Sequence, residues 1–329
     1  MERKSSLTKH FFFLVSCILL LLTFAPVNSM LRAEEFPGHP VRLIIPTTPG
    51  GTLDTLCRAI QPYMQKILNV QVPLENVPGA SHKIGLTRIW KSKPDGYTII
   101  CNSIPQNVLG EVVIYKTDYL MRDFSYICAI SKVKTVLFVH WDSWSTFDDF
   151  LSAAKQRVLV GGVSGVGSAA HLSGLVAMDE LKLNPKWVNF DSGGEALAAL
   201  AGKHIDFIVT LGPTAFPMVK ANRVRPLIVI DEEPDPFFPT TPTAKQKGIE
   251  ITPTPAYFGM LAPPNTPQDR LDILEKAFLK AVNDPGLQKL SNDRFLNISF
   301  ISAKDYKQET ERQFRLVEKY RNFLKADLK

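Results

Sequence analysis

Along most of the chain, short apolar runs alternate with stretches whose apolar residues recur at helical spacing. "VRLIIP" (41–46) predicts a strand, and the chain from Asp54 to Lys66 predicts a helix after it. "VQVPLENV" (70–77) and "YTIIC" (97–101) predict two more strands, with a helix through "KIGLTRIWKS" between them. Alternation of this kind points to parallel α/β sheets. "FSYICAISKVKTVLFVHW" (124–141) then reads as one long extended stretch, able to run from one domain into another. A second series follows. "TFDDFLSAAKQ" opens on a Thr146 cap, and "SAAHLSGLVAMDEL" (168–181), "GGEALAALAGK" and "PTAFPMVKA" are further helices. The strands of this series are "RVLVGGV" (157–163), "KWVNFD" (186–191), "HIDFIVT" (204–210) and "RPLIVI" (225–230). After a Pro-rich segment (234–242), "AYFGMLAPP" (256–264) is extended again, and from Thr266 the chain is mostly helical. Its last helix opens on Ser302 and carries Phe314, Val317, Tyr320 and Phe323 on one face.

Two α/β series joined by two extended passages predict an α/β protein of two lobes. Lobe 1 comprises 34–136 and a C-terminal return, 258–329, and lobe 2 comprises 137–257. Residues 1–33 are expected to be a secretory signal peptide. Arg3, Lys4 and Lys9 precede the apolar run from Phe11 to Val27, and small residues suited to cleavage follow at Ser29 and Ala33. The expected location is therefore the periplasm. The formal charge of +6 falls to +3 when Arg3, Lys4, Lys9, Arg32 and Glu2 are removed, too mild for a nucleic-acid partner. Cys57, Cys101 and Cys128 remain after cleavage, each in an apolar setting. An odd number without a C-x-x-C pair predicts buried thiols rather than a disulfide framework or a zinc site, and no metal or cofactor is expected.

Three glycine-rich strand-to-helix loops could carry chemistry. In "PTTPGGTLD" (46–54), Gly50 and Gly51 allow close backbone approach, and free N–H groups at the following helix start favour an anion. An ordinary Pro-Gly turn capped by Thr52 or Asp54 accounts for the same residues. In "GGVSGVGSAAH" (161–171), residues 165–170 match G-x-G-x-x-A, and Asp191 ends a later strand as a ribose-binding acid would. Against a dinucleotide, the preceding strand already ends in Gly161-Gly162, which makes the turn too long. Gly162 to Val166 lacks the last glycine of an esterase elbow. Ser168 and His171 stand three apart on one helix, which does not aim the imidazole at the hydroxyl as its base; His171 reads equally as a helix-face histidine under the loop or as a ligand contact. "NFDSGGEAL" (189–197) is the third loop. Together these helix starts suit holding an anion better than transforming one.

Six segments in order, "PVRLIIPTTPGGTLD" (40–54), "VPLENVPGASHKIG" (72–85), "KPDGYTII" (93–100), "GVSGVGSAAHLSG" (162–174), "GGEALAALAGKHIDF" (193–207) and "FGMLAPPNTP" (258–267), carry a resemblance. The chain resembles the TctC-like or Bug family of extracytoplasmic solute receptors of tripartite tricarboxylate transporters, over about 35–329. The resemblance implies a type II periplasmic-binding fold, with two lobes joined by two crossing strands around a cleft that closes on a small organic acid. By position it implies Thr48, Pro49, Gly50, Gly51 and Asp54 in the first loop and Ser164, Gly165, Gly167, Ser168 and His171 in the second. Ser103 and Thr210 sit where the family lines its cleft. Departures are Thr47 and Thr48 in place of an aromatic residue and a proline, "VNFDSGG" in place of a more basic loop, and no acidic residue just after Thr210. "GASHK" (79–83) replaces a Gly-Gly and puts His82 and Lys83 in a loop that can reach the cleft rim.

The expected function is non-enzymatic capture of a small carboxylate and its delivery to the membrane permease subunits of a tripartite transporter, by a monomer. The alternatives are an exported α/β enzyme, hydrolytic or dinucleotide-dependent, and a ligand sensor for a membrane signalling protein.

Overall fold

Strand β1 (Arg42–Ile45) buries Leu43, Ile44 and Ile45 almost completely, as expected of a parallel strand covered on both faces. The structure, a computed structural model, describes residues 35–164, 167–190 and 192–326. The segment read as a leader (1–33) and Gly165 lie outside them. Glu35 to Gly38 belong to one unit, and the chain from His39 onward forms another, described from here.

Helix α1 (Thr52–Leu68) follows β1 and buries Leu53, Leu56, Cys57, Ile60 and Met64, the spacing of one helix face. Then come β2 (Leu74–Asn76), α2 (Lys83–Trp90), β3 (Thr98–Ile104) and the short α3 (Gln106–Leu109), which runs into a π-turn at Gly110–Ile114. The strand predicted over 70–77 is confined to 74–76, because Pro73 has no N–H for the ladder and contributes only its carbonyl, to Leu43 N.

The long extended stretch is two strands, β4 (Ser125–Val133) and β5 (Thr135–His140), in different sheets with Lys134 between them. The second series is α4 (Phe147–Gln156), β6 (Val160–Ser164), α5 (Ala169–Glu180), β7 (Lys186–Phe190), α6 (Gly193–Ala201), β8 (Phe207–Leu211), α7 (Gly212–Lys220) and β9 (Val224–Val229). The chain returns to the first sheet as β10 (Ala256–Ala262), followed by α8 (Gln268–Val282), α9 (Pro285–Asp293), β11 (Ile298–Ser302), α10 (Ala303–Lys319) and α11 (Arg321–Ala326). The first sheet has the order β11-β4-β10-β3-β1-β2 and the second β7-β6-β8-β5-β9. β4 pairs antiparallel with β10, and β5 with β9, so the outgoing and returning passages run side by side.

The predicted last helix is interrupted at Tyr320, whose buried ring and hydroxyl turn inward to reach Asp179 Oδ2 at 2.8 Å. Phe314 and Val317 are buried as expected, but beyond that interruption Phe323 is exposed and Leu324 is buried in its place. Helix α5 is buried on all sides from Ala169 to Met178. Its Leu172, Leu175 and Val176 pack in one core with Ile44, Leu86, Tyr306 and Tyr320. Its Ala177 and Met178 pack in another with Phe150 and Phe207. Each fully buried large apolar side chain contributes about 1.5–3 kcal/mol, so α5 is held firmly with its N-terminus between the sheets. Cys57, Cys101 and Cys128 are free buried thiols, and burial pushes Cys57 and Cys128 well above the ordinary thiol range. Among the described residues no helix is long and apolar enough to cross a membrane.

Candidate functional site

The first loop is organised from behind by Asp54. Gly50, at φ +87, adopts a backbone conformation that favours glycine and turns its N–H onto Asp54 Oδ2 at 2.9 Å. Arg58 Nε donates to the same oxygen at 2.8 Å, and Asn76 Nδ2 donates to Oδ1 at 2.9 Å and to Thr47 O at 2.9 Å. The Arg58 guanidinium, with the Gly50 and Asn76 N–H groups, holds the Asp54 carboxyl at about 2 despite its burial. An ionised Asp54 therefore ties β2 and α1 to the loop. Thr48, Pro49 and Gly50 stand exposed at its tip.

A matching device closes the second loop. Ser168 caps α5, its Oγ accepting from His171 N at 3.1 Å, and Gly167, at φ +82, donates its N–H to His171 Nδ1 at 3.1 Å. His171 is buried beneath the loop it closes. On the third loop, Ser192 Oγ accepts from Glu195 N at 3.2 Å and caps α6.

These loops surround a cleft of about 430 Å³. The first sheet's side contributes Thr47, Thr52, Leu53, His82, Ser103, Gln106, Ala256 and Phe258. The second contributes Ser168, Ala169, Ala170, Gly193, Thr210, Leu211 and Thr214. Thr52 and Leu53, Ser168 to Ala170, Gly193 and Thr214 belong to the first turns or caps of α1, α5, α6 and α7. Such helix ends carry partial positive charge and N–H groups without helical partners. Among the described lining residues there is no Lys, Arg, Asp or Glu, while six carry hydroxyls. The wall of Thr52, Leu211, Thr214 and Phe258 is shared with a hollow of about 320 Å³ that also touches Gly50, Arg294 and Phe295. An anion entering the cleft meets helix ends and hydroxyl donors and, among the described lining residues, no carboxylate. No group of three or more His, Cys, Asp or Glu able to hold a metal exists among the described residues.

A model of the family described as tripartite tricarboxylate transporter family receptor matches residues 56–321. The chain belongs to that family. It is similar to the "UPF0065 protein in the TAR-I ttuE-ttuC' intergenic region" of Agrobacterium vitis, with 27% identity over 272 residues, 82% of this chain and 79% of the relative. Among solved structures it is similar to a TctC solute binding protein from Polaromonas, with TM-score 0.78, 25% identity and coverage of 86% of this chain and 99% of that one. It also shares its fold with R. palustris Rpa4515 with adipate, at TM-score 0.73 and 24% identity over 88% of this chain and 98% of that one. The two sheets and their crossing passages are thus the two-lobed periplasmic-binding fold of a TctC receptor.

Within this TctC receptor the residues singled out from sequence separate into two groups. Ser103, Ser168 and Thr210 come together on the cleft wall. Thr48, Pro49, Gly51, Asp54, Gly167 and His171 are not among the lining residues, and Gly50 lines the adjoining hollow. Asp54 and His171 instead turn inward and shape the loops. Ser164 closes β6. Thr47, Thr52 and Gly193 belong to the loops read from sequence without being assigned to the cleft, His82, expected at the cleft rim, lies on its wall, and Gln106, Thr214 and Phe258 carry no sequence assignment. Thr52 and Thr214 carry a readable signal, a hydroxyl in the first turn of a helix that follows a glycine or strand end. Phe258 has none, since it reaches the cleft only because β10 returns between β3 and β4.

Proposed function

We propose that this protein is an exported receptor that captures a small organic acid between its lobes and delivers it to the membrane permease of a tripartite transporter. The observation that carries the reading is a cleft edged by helix N-termini and hydroxyls and free of charged side chains among its described residues. A carboxylate is favoured there, because charge-assisted hydrogen bonds contribute about 1.5–3 kcal/mol each and no carboxylate among the described lining residues repels it. The family assignment and the likeness to a protein with bound adipate support the same ligand class. Ser103, Ser168 and Thr210 are the proposed direct contacts, with Thr48 to Gly51, Ser164 and Gly167 supplying backbone around them. Asp54 and His171 act by holding the loops in shape.

The 1–33 segment directs export to the periplasm and is removed. The two lobes, meeting at Lys134 rather than at 136/137 and again before β10 rather than at 257/258, close on the ligand, and the receptor works as a monomer. It performs no chemistry on the acid. The Ser168 hydroxyl accepts from the backbone of His171, and His171 Nδ1 accepts from Gly167, so this pair serves the loop rather than a nucleophile and its base. Native mass spectrometry of the purified mature chain tests the reading: a retained organic acid is expected. A retained nucleotide, or turnover of simple esters, would overturn it.

A further inference from the structure

His82 precedes α2 in the loop after β2, and its backbone is unusual. Gly79, Ala80, Ser81 and His82 have successive φ values of +129, +45, +46 and +79. Three of these are non-glycine residues in the left-handed region, a conformation that side-chain-bearing residues avoid unless their surroundings impose it. The surroundings are visible. Tyr115 OH donates to Ser81 Oγ at 3.3 Å, and Lys83 lies over the Tyr115 ring. The result is an imidazole only 6% exposed, set in the cleft wall beside Ser103 and Gln106.

Its protonation follows from its partners. Ser103 N donates to Asn107 Oδ1 at 2.9 Å, which fixes the orientation of the Asn107 amide. The Asn107 Nδ2 group must then face His82 Nδ1, 3.0 Å away, as a donor. Nδ1 is therefore the acceptor, and the proton of the neutral ring sits on Nε2. Burial holds the imidazole down at about 4, so the ring is neutral near pH 7. Among the described residues, Nε2 has no hydrogen-bond partner.

We propose that His82 is a specificity-determining residue, presenting a preset Nε2–H to an oxygen of the bound acid from the first lobe's side of the cleft. Asn107 is its positioning residue. A neutral ring N–H adds a directed donor without placing a net charge in the cleft, so it rewards an acceptor at that spot rather than any anion in general. This inference rests on the receptor reading given above.

The test is calorimetric titration of the mature chain with straight-chain dicarboxylates from malonate to suberate, repeated on His82→Phe, which keeps a ring but no donor, and on His82→Gln, which keeps an N–H. His82→Phe is expected to weaken the best-bound acid by roughly 10- to 150-fold, and His82→Gln by clearly less. Long-range proton–nitrogen correlation spectra of the wild type are expected to show the Nε2–H tautomer without ligand and a changed Nε2–H signal with it. An Nδ1–H tautomer, or equal affinity in wild type and both variants, would overturn the assignment of His82 alone. Failure of the wild type to bind any of the acids would overturn the receptor reading and this inference with it.

Discussion

Asp54→Asn should weaken the protein in a way that depends on pH, although the side chain lies outside the cleft lining. The carboxylate accepts from Gly50 N, Arg58 Nε and Asn76 Nδ2, all between 2.8 and 2.9 Å. An asparagine offers one acceptor and one donor, so one of those N–H groups would face another N–H. In the folded chain the acid titrates at about 2 rather than 3.8, a difference equivalent to roughly 2.5 kcal/mol. Arg58 is half-exposed, and solvent screens its share, which reduces the expected loss at pH 7 to about 1–2 kcal/mol. The sign follows from the depressed folded value. The contribution is fully present above the ordinary 3.8 and is lost as pH falls through about 2. Urea unfolding of wild type and variant at pH 7, 4 and 2.5 reads it directly. The gap between the two should narrow from pH 4 to pH 2.5. A gap that is the same at all three, or absent at pH 7, would refute the argument.

Two further outcomes follow from packing and capping. A Cβ at Gly259 would collide with the fully buried Tyr306 ring, so Gly259→Ala should lower stability by about 1–3 kcal/mol; an unchanged thermal midpoint would contradict the observed packing of α10 on β10. Thr146 and Asp149 form a reciprocal capping box at the start of α4, at 3.2 Å in each direction, so Thr146→Ala should cost about 1 kcal/mol in urea unfolding while leaving acid binding unchanged.

Much of this fold is legible in the sequence, because β1, β3, β8 and β10 are short apolar runs between turn residues and α1 and α8 repeat at helical spacing. The change of sheet at Lys134 is not legible. The stretch 124–141 reads as one extended run able to pass between domains, but nothing in it singles out Lys134 as the crossing, since polar residues also stand at Ser131, Lys132 and Thr135. What marks the site is Lys134 itself, whose Nζ reaches the Glu233 and Pro234 carbonyls of the returning passage 99 and 100 residues away. The interruption at Tyr320 is hidden for a similar reason, since its ring fits the helical pattern while its hydroxyl answers to Asp179 on another element.

In the candidate site, the pattern of glycines before helices finds the loops but not the direction of each side chain. Asp54 and His171 belong to those loops in sequence, yet both turn inward because a loop N–H claims each of them. His82 is the converse case. The sequence places it with Lys83 in a loop able to reach the cleft rim, and His82 does line the cleft while Lys83 does not; the three successive left-handed residues that bring it there are a conformation that no local propensity predicts.

The cleft, free of charged side chains among its described residues, is proposed to hold a carboxylate through helix ends and hydroxyls. Calorimetric titration of the mature chain with a dicarboxylic acid and with the diamide of the same carbon skeleton tests it most directly. One-site binding of the acid and at least tenfold weaker binding of the diamide is the predicted result, since a charged acceptor is what distinguishes the two. Equal binding of acid and diamide, or no binding of any dicarboxylate offered, would contradict it.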